Sequence, residues 1–243
     1  MSSLPTAETF HTQSIDSDGY AIVEDLFAAQ CDEILALLKE LPVSQKVRQR
    51  EGVYGVRDLL GIVPDLKPVL ISDKILGLVE PILGNAPFAV RSIYFDKPND
   101  ANWMVPWHQD LTIAVNGKSD APGFGPWSVK AGVVHVQPPA EILENMVTVR
   151  VHLDDCTAEN GALEVLPGTH VKGRLSSDEI NRLRGSIPPQ VCEVKRGGCL
   201  IMRPLLLHSS QKSTNEKHRR VIHIEFAACD LPNGMNWFER SDF

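Results

Sequence analysis

The segment Val105-Pro106-Trp107-His108-Gln109-Asp110-Leu111 sets an imidazole and a carboxylate at positions i and i+2. In an extended strand those positions point to one side, so His108 and Asp110 can address a single point in space. They supply two legs of the facial triad, two histidines and one carboxylate, that holds non-haem iron(II). The third leg has to be a distant histidine brought alongside by sheet pairing. His208, in Arg203-Pro204-Leu205-Leu206-Leu207-His208-Ser209-Ser210, is the best placed, because it follows the Gly197-Gly198 turn and an apolar run. A lone H-x-D pair arises often by chance, and a lone histidine is more often an ordinary polar residue. Both together, with an arginine eleven residues after the histidine at the start of a strand, make a much rarer combination.

Two neutral imidazoles and a carboxylate leave three adjacent positions open on such a metal. A 2-oxo acid chelating through its carboxylate and keto oxygen fills two, and dioxygen the third. The far carboxylate of such a co-substrate needs a fixed positive partner, which arginine matches with two parallel charge-assisted bonds. Arg219, eleven residues after His208, opens the apolar run that ends in Phe226. A hairpin through Lys212-Ser213-Thr214-Asn215-Glu216 is expected to bring it back to the metal. Ser210, two beyond His208 on the same side of the strand, adds a hydroxyl.

The elements that must position these groups change character along the chain. The first third, about 1–85, reads as helical. Ile34, Leu37, Leu38 and Leu41 share one face, with Pro42 as the stop. A second helix is expected over Ile71–Gly84, with Ser72 or Asp73 as N-cap, Gly84 as terminator, and Pro81 weakening its last turn. Beyond Gly84, short alternating apolar runs separated by turn residues (Phe88–Phe95, Met146–Leu153, Leu163–Leu166, Cys199–Met202, Arg220–Phe226) predict strands of a closed or double-sheet antiparallel barrel, about 86–230. The stretch Val115–Leu143 carries four glycines and four prolines, too broken for a hairpin. Its Phe124, Trp127, Val133, Val134 and Val136 argue against disorder, so it reads as an ordered lid. Trp107 and Trp127 line either the pocket or the core. His170 reads as structural, His152 and His223 as core or as supports of the site, and Gln109 as pointing away from the metal.

The chain has 243 residues, a formal net charge of −7, 43% hydrophobic and 23% charged residues, which is ordinary for a soluble globular protein and long enough for one β-rich domain. The acidic balance argues against nucleic acid as a partner. No apolar run approaches a membrane span, and no secretory signal is visible, so a cytoplasmic location is expected. The five cysteines, Cys31, Cys156, Cys192, Cys199 and Cys229, are odd in number and form no C-x-x-C. They read as reduced thiols packed as small hydrophobes.

These residues resemble the phytanoyl-CoA dioxygenase family of iron(II)- and 2-oxoglutarate-dependent oxygenases over nearly the whole chain. Asp18-Gly19-Tyr20-Ala21-Ile22-Val23 is similar to the family's N-terminal strand, and Phe95-Asp96-Lys97-Pro98 to the strand before its metal motif. Trp107-His108-Gln109-Asp110 is similar to that motif. Glu159-Asn160-Gly161-Ala162-Leu163 and Leu166-Pro167-Gly168-Thr169-His170 form a further signature. The resemblance implies a double-stranded β-helix (jelly roll, cupin-like) with flanking helices, mainly β in class. It implies His108, Asp110 and His208 as ligands of Fe(II), and Arg219 as the 2-oxoglutarate arginine. The implied reaction consumes 2-oxoglutarate and O2, releases succinate and CO2, and hydroxylates a C–H bond of a small molecule. Related halogenases replace the carboxylate ligand with a small residue; retention of Asp110 favours hydroxylation. Where some members carry an aromatic beside the co-substrate this chain has Arg150, which either meets the co-substrate or an acidic substrate. Two other readings stay open: a metal-dependent isomerase or hydrolase on the same barrel, and a metal-free ligand-binding barrel.

Overall fold

The computed structural model describes residues 14–39, 41, 47–49, 53–84, 86–96, 104–215 and 217–243. Pro42, the stretch 97–100, Glu216 and the first thirteen residues lie outside them. The described strands are, in chain order, β1 (Tyr20–Val23), β2 (Val47–Gln49), β3 (Val53–Arg57), β4 (Phe88–Asp96), β5 (Val105–His108), β6 (Ile113–Val115), β7 (Trp127–Lys130), β8 (Val133–Val136), β9 (Met146–His152), β10 (Leu163–Val165), β11 (Gln190–Cys192), β12 (Cys199–Met202), β13 (His208–Ser210), β14 (Arg220–Ala227) and β15 (Ser241–Asp242).

The major sheet runs β1-β12-β9-β14-β4-β3-β2, with β15 on β4; the minor sheet runs β11-β10-β13-β5. From β9 onward the chain passes from the major sheet to the minor and back, giving the double-stranded β-helix. The period-2 pattern of β9 and β14 divides their side chains cleanly. Val147, Val149, Val151, Ile222, Ile224 and Phe226 face outward into the main apolar core. That core is closed by the helices Cys31–Lys39 and Asp73–Leu83, whose Ile34, Leu38, Ile75 and Val79 are buried against it. Each such side chain contributes about 1.5–3 kcal/mol through burial. The opposite set of β9 and β14, including Arg150, His223 and Glu225, faces the space between the sheets and lines a cavity there. The helices therefore cover the apolar face, and the polar face is left for the site.

Both expected helices form. Ser72 is the N-cap of the second and Gly84, at φ 81°, ends it; Pro81 is accommodated in its last turn. The helical first third also supplies strands to the major sheet: β1 falls on the Asp18–Val23 stretch where the resemblance implies one, whereas β2 and β3 are unexpected. Gly55 in the middle of Val53–Arg57 masks the strand pattern, yet pairing with β4 opposite Phe95 holds it extended. The broken stretch Val115–Leu143 does contain a hairpin. β7 and β8 pair across Ala131-Gly132, and β6 completes a three-stranded sheet. Both turn residues have positive φ (51° and 80°), the two-residue geometry that matches strand twist. Ala131 at a position that favours Asn or Gly hid the turn. Phe124, Trp127, Val134 and Val136 pack in a second apolar cluster with Leu143, Met146 and Trp237.

The five cysteines are free thiols, four of them buried. No helix of the described residues is long and apolar enough to cross a membrane.

Candidate active site

The pairing of β5 with β13 sets His108 directly opposite His208, with ring centroids 4.2 Å apart. Asp110, just past the end of β5, is anchored by its backbone N–H donating to the Pro204 carbonyl at 2.9 Å. Its carboxylate oxygens lie 3.9 Å from His108 Nε2 and 3.7 Å from His208 Nε2. One donor atom from each of the three residues lies within 4.8 Å of the others, a spacing that one ion would bridge. His108 Nδ1 donates to the Pro106 carbonyl at 2.8 Å, and His208 Nδ1 to the Leu206 carbonyl at 2.8 Å. These bonds fix the tautomer and leave both Nε2 lone pairs turned toward Asp110. Gln109 points the other way, as expected. Its amide donates to the Gly173 and Leu205 carbonyls and accepts from Leu175 N–H, tying the metal strand to the segment ahead of the helix Ser177–Ser186.

The electrostatics favour a cation. Burial alone would raise the Asp110 carboxyl; His208, His223, His108 and Arg91 outweigh it and hold it at about 2. Burial pushes His208 down to about 4, so its ring is neutral at physiological pH and needs to lose no proton to bind a metal.

The three residues open into a cavity of about 470 Å³ between the sheets. Arg219, Ser210 and Arg150 line it as well. Arg219 is 7% exposed, and its Nε and Nη1 have no hydrogen-bond partner. Arg150 is equally buried; its Nη1 donates to His223 Nδ1 at 2.9 Å, while its Nε is unpartnered. His223 Nε2 in turn donates to Glu225 at 3.1 Å, and Glu225 accepts from Arg91 at 2.9 Å. Burial first, and then Arg219, lower the Arg150 guanidinium to about 10. Two buried cations that line one cavity and keep unpartnered nitrogens are costly unless an anion is bound there.

One expectation needs correction, and the open ones are decided. Arg219 does not arrive by a hairpin: β13 lies in the minor sheet and β14 in the major, so 211–219 is a crossover between sheets. Trp107 and Trp127 do not line the cavity, and Trp127 packs in the second apolar cluster. His170 is buried against Gly19, and His152 is buried with neither ring nitrogen bonded. Arg57, Arg91, Lys130 and Glu225 line the cavity and were not singled out from sequence. A signal was available: Arg91 lies at i−4 from Phe95, and Glu225 at i+2 from His223, so both share an inward face.

Residues 15–221 match the profile described as Phytanoyl-CoA dioxygenase (PhyH). The chain belongs to the phytanoyl-CoA dioxygenase family. It is 26% identical over 178 residues to L-proline trans-4-hydroxylase of Streptomyces griseoviridis, covering 63% of this chain and 59% of that protein. It is also 26% identical to the peroxisomal phytanoyl-CoA dioxygenase of Mus musculus, over 65% of this chain and 44% of that one. The matched stretches span 44% to 64% of the lengths of the curated relatives. Among solved structures, EctD from S. alaskensis with bound Fe superposes with a TM-score of 0.71 at 17% identity, over 93% of this chain and 79% of that one. At that identity the likeness speaks for the shared jelly-roll fold.

Proposed function

We infer that this family member is a non-haem Fe(II)- and 2-oxoglutarate-dependent dioxygenase that hydroxylates a C–H bond of a small organic molecule. The observation that carries this reading is Arg219, a buried guanidinium with two unpartnered nitrogens, in the same cavity as His108, Asp110 and His208. The donor set fits iron(II): two imidazole nitrogens and one carboxylate leave coordination positions free for a chelating co-substrate and dioxygen. When bound, iron with 2-oxoglutarate and O2 supplies the oxidising power, and succinate and CO2 leave as co-products.

The chain's own residues bind, orient and shield. His108 and His208 turn Nε2 toward the metal position because their Nδ1–H groups are held by backbone carbonyls. Arg219 donates to the far carboxylate of 2-oxoglutarate, with Ser210 beside it as a further donor. Arg150, steadied by His223, adds a second positive charge to that end of the cavity. The hairpin β7–β8 with its flanks, 115–143, acts as the lid, placing Lys130 and Gln137 in the cavity wall and limiting access of water. The relative named L-proline trans-4-hydroxylase supports a small-molecule substrate. An isomerase, a hydrolase or a metal-free binding barrel has no need of an unpaired arginine set for a dicarboxylate.

The test is anaerobic. Iron(II) and 2-oxoglutarate added to the chain should produce the visible charge-transfer band of the chelate, and Asp110→Ala or His208→Ala should abolish it. A folded chain that gives no band defeats the proposal.

A further inference from the structure

Resting on the oxygenase reading, we propose that Asp154 is a positioning residue for the co-substrate: by holding Arg220 it aims Arg219 at the far carboxylate of 2-oxoglutarate.

Arg219 has little of its own to hold it. Its Nε and Nη1 have no hydrogen-bond partner. It stands one residue ahead of β14, and the described ladder pairing of that strand begins at Arg220 on β4 and at Val221 on β9. The residues before it belong to the crossover from the minor sheet. The direction of its side chain is therefore set from the C-terminal side, by the peptide that joins it to Arg220.

Asp154, two residues past the end of β9, fixes that peptide. Its Oδ2 accepts from the Arg220 backbone N–H at 3.0 Å and from Arg220 Nε at 2.8 Å, and its Oδ1 accepts from Arg220 Nη2 at 2.6 Å. The neighbouring Leu153 N–H donates to the Arg220 carbonyl at 2.9 Å. Two consecutive residues thus grip Arg220 at its N–H, its C=O and its guanidinium. The two parallel charge-assisted bonds fix direction as well as distance. Alternation along the chain turns Arg220 outward where Arg219 turns into the cavity, so a grip on the first orients the second. The other carboxylate near Arg220 is Asp96 on β4, opposite it in register; it is engaged by His218 Nδ1 at 3.0 Å and by the Tyr94 hydroxyl at 3.5 Å. The bidentate hold on Arg220 therefore rests on Asp154. A guanidinium that meets a carboxylate through paired bonds tolerates little displacement: a shift of about 1 Å can cost on the order of 100-fold.

The probes are 2-oxoglutarate and 2-oxobutanoate. Both chelate a metal through a carboxylate and a keto oxygen, but only the first has a far carboxylate. Each is titrated under nitrogen into the chain loaded with iron(II), and its Kd is read from the charge-transfer band. Asp154→Asn should weaken 2-oxoglutarate at least about tenfold and 2-oxobutanoate less than about twofold, because the metal end of the site is untouched. Arg220→Lys keeps a positive charge beside Asp154 and removes the fork. It should show the same selective loss, and it decides the question if Asp154→Asn does not fold. A parent chain that gives no band defeats the oxygenase reading, and a parent that binds both acids alike removes the Arg219 clamp and the role of Asp154 with it. A parent that prefers 2-oxoglutarate, with folded variants that bind it within about threefold of the parent or that lose both acids in equal measure, overturns the positioning role alone.

Discussion

Replacing Arg219 by Met should change co-substrate affinity and stability in opposite senses. Under the proposed role, the guanidinium in the loaded enzyme would make two charge-assisted bonds to the far carboxylate, each contributing about 1.5–3 kcal/mol. Their loss amounts to about 3–6 kcal/mol, or a 10²- to 10⁴-fold rise in the 2-oxoglutarate Kd. Without co-substrate the balance reverses. Arg219 is then a buried cation with Nε and Nη1 unpartnered and Arg150 as a neighbouring like charge. An unsatisfied buried donor costs about 1–3 kcal/mol, a penalty that Met, of similar reach and no charge, removes. In a chain of this size 1 kcal/mol shifts Tm by about 2–4 °C, so the variant should melt about 2–12 °C higher than the parent without co-substrate. At 100 times the parent's Kd, 2-oxoglutarate returns about 2.7 kcal/mol to the parent and almost nothing to the variant, which closes the gap or inverts the order. Scanning calorimetry with and without 2-oxoglutarate, together with anaerobic titration calorimetry, reads both effects. A variant that binds 2-oxoglutarate within threefold of the parent, or that melts lower without it, would falsify the reasoning.

Three further outcomes are expected. Asp110→Ala and His208→Ala should each lose retained iron, counted per chain after gel filtration, because two donors cannot replace three; retention of a full equivalent would remove that residue from the ligand set. Glu239 accepts from the Ser92 hydroxyl in a site whose burial raises its carboxyl from 4.5 to about 8. Its folded value exceeds its unfolded one, so the stability contributed by the neutral form is whole below pH 4.5 and fades as pH climbs through 8. Roughly 3–5 kcal/mol is at stake, Glu239→Gln should be spared it, and parallel melting curves for parent and variant from pH 5 to 9 would contradict this. Gly197 has φ +86°, and a Cβ there would lie 2.5 Å from Ala28 Cα. Gly197→Ala should therefore cost about 2–5 kcal/mol, read as a fall in the urea midpoint, and an unchanged midpoint would mean that the turn yields easily.

The readability of the site varied with the range of the interactions involved. His108 and Asp110 could be paired from their spacing, since alternation along one strand is local. Gln109, between them, could be turned outward by the same rule. The path to Arg219 could not be read, because whether 211–219 closes a hairpin or crosses between sheets depends on which strands flank β13, and those are β5 and β10. The strand β3 was hidden by Gly55, and the β7–β8 turn by an alanine where asparagine or glycine is usual. Arg91 and Glu225 were within reach of the alternation that found the metal pair, but each looks like a solvated charge until the cavity wall is seen.

The order of residues along the chain decides which donors exist: two imidazoles, a carboxylate and an arginine, in strands whose period aims them. This much comes from covalent spacing and strand geometry, which need no knowledge of distant neighbours. Tertiary structure alone decides their chemical state. Burial between the sheets pushes the His208 ring down to about 4, and closure of the two sheets leaves Arg219 buried with Nε and Nη1 unpartnered. Protonation and desolvation depend on what surrounds a group, and most of those surroundings come from parts of the chain far away in sequence.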